Sequence, residues 1–165
     1  MKNIANMLSR NWYKIDKTKV DDIQMSVIEA VKGDDKVVFI GTDSQQQDRK
    51  LIYCTVIIVY TQGKGGRVFY TKVKTNAPVP LRQKLTNETW LSIQTAWEVE
   101  KLLPEGIDLA VHLDVNSDPR WDSAKHHDEL YWMVKGQNFK VFTKPFAVAA
   151  SHVAEHIVKG RNEAA

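Results

Sequence analysis

The apolar residues of this chain change period several times, and each change marks a predicted element. Between residues 18 and 32, Val20, Ile23, Val27, Ile28 and Val31 recur at helical steps and stop at Gly33, which predicts an amphipathic helix. Three strand-like runs follow, over about 36–44, 50–61 and 67–75. The middle one, from Leu51 to Thr61, is nearly unbroken apolar sequence. The link Gln62-Gly63-Lys64-Gly65-Gly66 carries glycines that can take positive φ, so a hairpin loop is expected there. Short connections make the three strands an antiparallel meander.

Pro78 and Pro80 close that section, and a long helix is predicted over about 81–103, stopped by Pro104 and Gly106. One face holds Leu85, Glu88, Ser92, Ala96 and Val99 at steps of three and four. The small residues after Glu88 let that face lie close to a sheet. A fourth strand (about 107–115), a helix (about 122–135, ended by Gly136) and a fifth strand (Phe139 to Thr143) follow. A last helix over about 146–159, ended by Gly160, completes the order. Such a mixture implies an α/β protein whose partly antiparallel sheet carries helices on its faces.

Two of these strands end in an aspartate where the pattern calls for an apolar residue: Asp43 in Ile40-Gly41-Thr42-Asp43-Ser44, and Asp114 in Val111-His112-Leu113-Asp114-Val115. Between them Glu88 opens the apolar face of the long helix. A carboxylate at the end of a buried strand is costly to desolvate unless it is paired or binds a cation. A single such aspartate reads most simply as a turn acceptor. Two of them plus a helix glutamate, in this order, point to a divalent-metal site built on a sheet.

Length and composition narrow the setting. With 165 residues, 43% hydrophobic and 26% charged, the expectation is one soluble domain over residues 1–165 with an ordinary core. The lone Cys54 lies in an apolar run and reads as a core residue; no disulfide can form within the chain. No signal-peptide core or membrane-spanning run is present, so a cytoplasmic location is expected. Net charge is +3, but from Arg49 to Asn87 there are eight bases (Arg49, Lys50, Lys64, Arg67, Lys72, Lys74, Arg82, Lys84) and no acid, leaving −5 for the rest. That asymmetry suggests a face for polyanions, against the plainer reading of solvated lysines guarding edge strands.

The order of elements, with Asp on the first strand, Glu on the next helix and Asp on the fourth strand, resembles the ribonuclease H-like fold. The chain also resembles the bacterial YkuK family of predicted ribonuclease H-related proteins. The words that carry this are Ile40-Gly41-Thr42-Asp43-Ser44-Gln45, Gly63-Lys64-Gly65-Gly66, Val111-His112-Leu113-Asp114-Val115-Asn116, Met133-Val134-Lys135-Gly136, Lys144-Pro145 and Ala149-Ala150-Ser151-His152-Val153-Ala154-Glu155. The resemblance spans roughly 36–158, with the first 35 residues adding a helix. It implies a mixed five-stranded sheet, three antiparallel then parallel strands, flanked by helices. It also implies a nuclease that hydrolyses phosphodiester bonds of RNA or DNA with two Mg²⁺ or Mn²⁺ ions about 4 Å apart. In that scheme Asp43 bridges the ions, and Glu88 and Asp114 each hold one side. The fourth acidic position, near the start of the final helix, falls to Glu155, with Ser151 one turn earlier and His152 as neighbours. The alternative is a catalytically weak or inactive nucleic-acid-binding or regulatory module of the same fold.

Other residues enter at lower rank. Lys64, Lys72, Lys74, Arg82 and Lys84 are candidate phosphate contacts, and Trp121, in a polar loop, is a candidate for base stacking. His112 and Asn116 share a strand face with Asp114, though a lone strand histidine is more often structural. His126-His127-Asp128 does not read as zinc, because adjacent helix histidines point about 100° apart. Gly63-Lys64-Gly65-Gly66 lacks the GK[ST] ending of a nucleotide loop.

Overall fold

In a computed structural model that describes residues 6–76 and 79–144, these patterns resolve into six strands and three α-helices. The strands are β1 (Tyr13–Lys14), β2 (Lys36–Gln47), β3 (Lys50–Thr61), β4 (Gly65–Thr75), β5 (Asp108–Asn116) and β6 (Lys140–Lys144). The helices are α1 (Ile23–Ala30), α2 (Leu81–Glu100) and α3 (His127–Lys135). The strands form one mixed sheet in the order β1-β4-β3-β2-β5-β6. β2, β3 and β4 make the antiparallel meander, and β5 and β6 add in parallel beside β2. The ribonuclease H-like α/β arrangement is as expected, with one strand more.

That extra strand is a correction at the N-terminus. Tyr13 and Lys14 pair with Tyr70 and Phe69 at the sheet edge, and Tyr13 also bridges Lys19. Residues expected to begin a helix at 18 are held in this return, and α1 starts only at Ile23. Its first turn is capped by Asp22, whose side chain accepts from the Met25 N–H at 3.1 Å. Trp12, fully buried, anchors the segment by donating its indole N–H to the Met7 carbonyl. The hairpin loop is also tighter than expected: Thr61 pairs with Gly65, and Gly63 and Gly65 take φ of +75° and +85° on either side of Lys64. The helix expected over 122–135 begins as a 3₁₀ turn, Asp122–His126, before α3. The helix expected over 146–159 lies outside the described residues.

Side-chain alternation sorts the sheet into two faces. Val38, Ile40, Ile57, Val59, Phe69, Leu109, Val111 and Leu113 form the main core with apolar residues of α1, α2 and α3. The opposite face carries a smaller cluster of Cys54, Val56, Ile58 and Tyr70, flanked by Phe39, Val68 and Tyr13. β3, at the heart of the meander, is buried along both faces, which is why its sequence does not alternate. Cys54 is a buried free thiol whose pKa burial pushes up to about 12, so it is an inert core residue. Among the described residues no helix is long and apolar enough to cross a membrane.

α2 lies over β2 with the face read from its sequence: Leu85, Glu88, Ser92, Ala96 and Val99 are all buried. A chain of hydroxyls fixes its height and rotation. Thr42 Oγ1 lies 2.9 Å from Thr55 Oγ1 and 2.8 Å from Ser92 Oγ, so β3, β2 and α2 are tied together inside the core. Nearer the helix start, Asn87 donates to the Tyr53 hydroxyl at 2.9 Å and accepts from Gln83 at 2.8 Å. Each such buried bond contributes about 1 kcal/mol net, and losing one partner would strand the other. Glu88, one turn before Ser92, is thereby set above Ser44.

Candidate active site

The parallel β2–β5 ladder ends at Gly41 opposite His112. Two residues farther along each strand stand Asp43 and Asp114. They share the face opposite the helices, because alternation sends Thr42 and Ser44 toward α2 and Asp43 away from it. The Asp43 carboxyl is within hydrogen-bonding reach of Asp114, and its Oδ1 accepts from the Ser44 N–H at 2.8 Å. Burial, and then the charge of Asp114, push the Asp43 pKa up to about 6. Two carboxylates side by side, just past the end of the β2–β5 ladder, are thus present without full compensation.

Glu88 reaches the same region from the helix side. It is buried at 4% exposure, and its Oε1 accepts a 2.5 Å hydrogen bond from the Ser44 hydroxyl. Desolvation raises its pKa to about 8, with Asp43 the next cause, while Lys84 opposes the shift. Lys84 Nζ sits 3.9 Å from Glu88 Oε1, and its charge also acts on Asp43. Lys144, at the end of β6, forms an ion pair with Asp114 Oδ1. Three carboxylates therefore meet two ammonium groups in one cluster.

The donors have the chemistry of a hard-cation site: carboxylate oxygens, with the pKa values of Asp43 and Glu88 raised in a way that a divalent charge would relieve. Their present arrangement is less closed than that chemistry wants. Glu88 is engaged by Ser44 on one side of the sheet, while Asp43 and Asp114 face each other on the other. Among the described residues, no group of three His, Cys, Asp or Glu side chains is placed to hold a metal ion. The cluster offers a two-carboxylate seat with a third carboxylate close by, which Mg²⁺ accepts because it keeps several of its own waters.

The remaining candidates are spread around this centre. Lys72 and Lys74 project from β4 on the Asp43 face, in rows that run through Cys54 and Ile52. Lys64 is exposed at the hairpin tip, well along the sheet from the carboxylates. Arg82 is not an open cation: Glu129 binds its guanidinium at 2.6 and 3.2 Å. Trp121 is 60% exposed in the loop after β5. His112 is a buried ring between Phe39 and Phe142, at centroid distances of 4.6 and 5.4 Å, and desolvation pushes its pKa down to about 4. Asn116 accepts from the Asp118 N–H at 2.9 Å, a turn role. His127 touches Asp128 and Thr143 rather than a second histidine. Glu155, Ser151 and His152 lie outside the described residues.

Two residues of the cluster were not singled out from sequence. Ser44 belongs to the Asp43 word, and its signal was present: with Thr42 it places hydroxyls on the buried face of an otherwise apolar strand. Lys144 entered only as part of the Lys144-Pro145 word of the resemblance, with no role attached.

The ribonuclease H-like family model matches residues 19–159. Two solved structures are similar to this chain. One is ribonuclease H1 from the halophilic archaeon Halobacterium salinarum NRC-1, at 9% identity and a TM-score of 0.40, covering 76% of this chain and 98% of that one. The other is the N-terminal ribonuclease H domain of a Mycobacterium tuberculosis protein, solved as a fusion with maltose-binding protein, at 12% identity and a TM-score of 0.38, covering 76% and 95%. Among curated proteins nothing matches.

Proposed function

From the premise that the chain belongs to the ribonuclease H-like family, we propose that it is a metal-dependent nuclease hydrolysing phosphodiester bonds of RNA or DNA. The observation that carries this reading is the Asp43–Asp114 pair at the end of the β2–β5 ladder, with Glu88 delivered beside it by α2. The resemblance to the YkuK family points the same way.

Asp43 and Asp114 would hold Mg²⁺ or Mn²⁺, with Glu88 as the third carboxylate and Glu155 as the proposed fourth. When bound, a divalent cation supplies Lewis-acid charge on the phosphoryl oxygens and lowers the pKa of the attacking water. The protein's own residues do the remainder. At pH 7 Asp43 is largely ionised and ready to bind a cation, while Glu88 keeps its proton and its bond to Ser44. Loading the site therefore expels protons. The hydroxyl chain Thr55–Thr42–Ser92 keeps α2 from sliding, so Glu88 stays in register with the aspartates. Lys72 and Lys74, on the Asp43 face, suit contact with a phosphate backbone, and Trp121 suits a base stack.

A second reading, a nucleic-acid-binding module without turnover, draws on the absence of a closed three-ligand group among the described residues. One experiment separates the two. Labelled RNA–DNA hybrid, single-stranded RNA, single-stranded DNA and branched DNA are incubated with the protein in Mg²⁺, in Mn²⁺ and in EDTA. Cleavage that needs the cation supports the nuclease; retention of the substrates without cleavage supports the binding module.

A further inference from the structure

The charge balance of the cluster leads beyond its carboxylates. Lys144 reaches Asp114 because the β5–β6 ladder is irregular: Thr143 pairs with Leu113, but the next residue, Lys144, pairs with Asn116. Asp114 and Val115 are skipped, so the strand edge beside Asp114 is open to the Lys144 side chain rather than to a backbone partner. The ammonium then sits on Oδ1 of one of the two carboxylates that face each other across β2 and β5. Lys84 plays the matching part for Glu88 at 3.9 Å. The opposite end of the same two strands provides a contrast. There Lys140 pairs with Asp108 at 2.8 Å, with both side chains about 60% exposed.

We propose that Lys144 is a tethered counter-ion of the site, an ammonium that competes with the divalent cation for Asp114 and is displaced when the cation enters. The inference rests on the reading of Asp43 and Asp114 as a cation seat and deepens it by naming what occupies that seat in the meantime. The ammonium sits on Asp114 Oδ1, and its charge repels a divalent cation brought to the same carboxylate. Without the lysine the cation meets an Asp114 carboxylate that has lost its ion pair, and binds more tightly. With it, affinity is held down.

Titration calorimetry with MnCl₂ tests this on the full chain, comparing the parent with Lys144→Gln, Lys144→Met, Lys144→Arg and Lys140→Gln. Both neutral variants at 144 should bind Mn²⁺ about fivefold more tightly, the scale of a partly exposed ion pair. Lys144→Arg, which keeps the charge, and Lys140→Gln, which removes a remote one, should stay within about twofold of the parent, inside the spread of minor surface effects. The two neutral variants guard against one of them failing to fold. If the parent binds Mn²⁺ and both neutral variants bind it equally or more weakly, Lys144 is not a competitor, though the cation seat stands. Equal tightening by Lys140→Gln would reduce the effect to net charge and overturn the proposal. If neither the parent nor any variant binds Mn²⁺, the competitor and the cation seat fall together. Binding by the neutral variants alone would support the competitor most strongly.

Discussion

Replacing Asp43 by Asn should make the metal-free protein more stable at alkaline pH. The ordinary aspartate value of 3.8 is raised to about 6 in the fold, by desolvation first and by Asp114 second. At about 1.4 kcal/mol per pH unit, that gap corresponds to about 3 kcal/mol of folding free energy lost once the group ionises. Asp43 retains some solvent access, and screening there brings the expected gain nearer 2 kcal/mol. The Asn side chain keeps an Oδ1 for the Ser44 N–H, so the local hydrogen bond survives the change. Because the folded pKa is raised, the parent has its full stability below about pH 4 and loses it as pH rises through about 6. The advantage of the variant should therefore be absent near pH 4 and complete by pH 8. Urea titrations in EDTA at a series of pH values read this directly. With a slope of about 2 kcal/mol per molar urea, the midpoint at pH 8 should rise by about 1 M. An Asn variant less stable than the parent at pH 8, or a difference that does not change with pH, would refute the reasoning.

Mn²⁺ or Mg²⁺ should raise the melting temperature of the parent with concentration by mass action, and Asp43→Asn, Glu88→Gln and Asp114→Asn should each lose that response; parallel shifts in all three would put the ions elsewhere. Apparent Mn²⁺ affinity should strengthen between pH 6 and pH 8, as the proton held by Glu88 at about 8 is removed more easily; calorimetry in two buffers of different ionisation enthalpy should count released protons, and a flat profile would contradict it. Lys72→Ala with Lys74→Ala should reduce the salt slope of nucleic-acid binding by about 1.5 to 2 without changing sequence preference, and an unchanged slope would return both lysines to solvated surface positions. Glu155→Gln should slow metal-dependent cleavage roughly hundredfold if it is a positioned catalytic group; a loss within about twofold would place it outside the catalytic machinery.

The carboxylates were readable because each interrupts an apolar pattern. Asp43 and Asp114 stand where strands should still be apolar, and Glu88 opens a helix face whose other positions are apolar or small. The register that brings the two strands together is a property of the sheet, yet equal strand depth was enough to pair them. What escaped detection depended on contacts distant in sequence. Arg82 looked like an open cation until α3 brought Glu129 to it, 47 positions away. Ser44's partner, Glu88, is fixed only once α2 lies above it, and that of Lys144 only through the skipped pairing of Asp114 and Val115. β1 is two residues long, too short for any period to register; its place is held by Trp12 and by pairing with Tyr70. The late start of α1 followed from Asp22, a good cap sitting inside a stretch whose apolar spacing already looked helical.

The seat between Asp43 and Asp114 is best tested by anomalous diffraction from crystals soaked in MnCl₂. A manganese peak between these two carboxylates, with the Lys144 ammonium moved off Asp114, is the expected result. Well-occupied manganese sites elsewhere, with Lys144 still paired to Asp114 and no peak between the aspartates, would contradict the account.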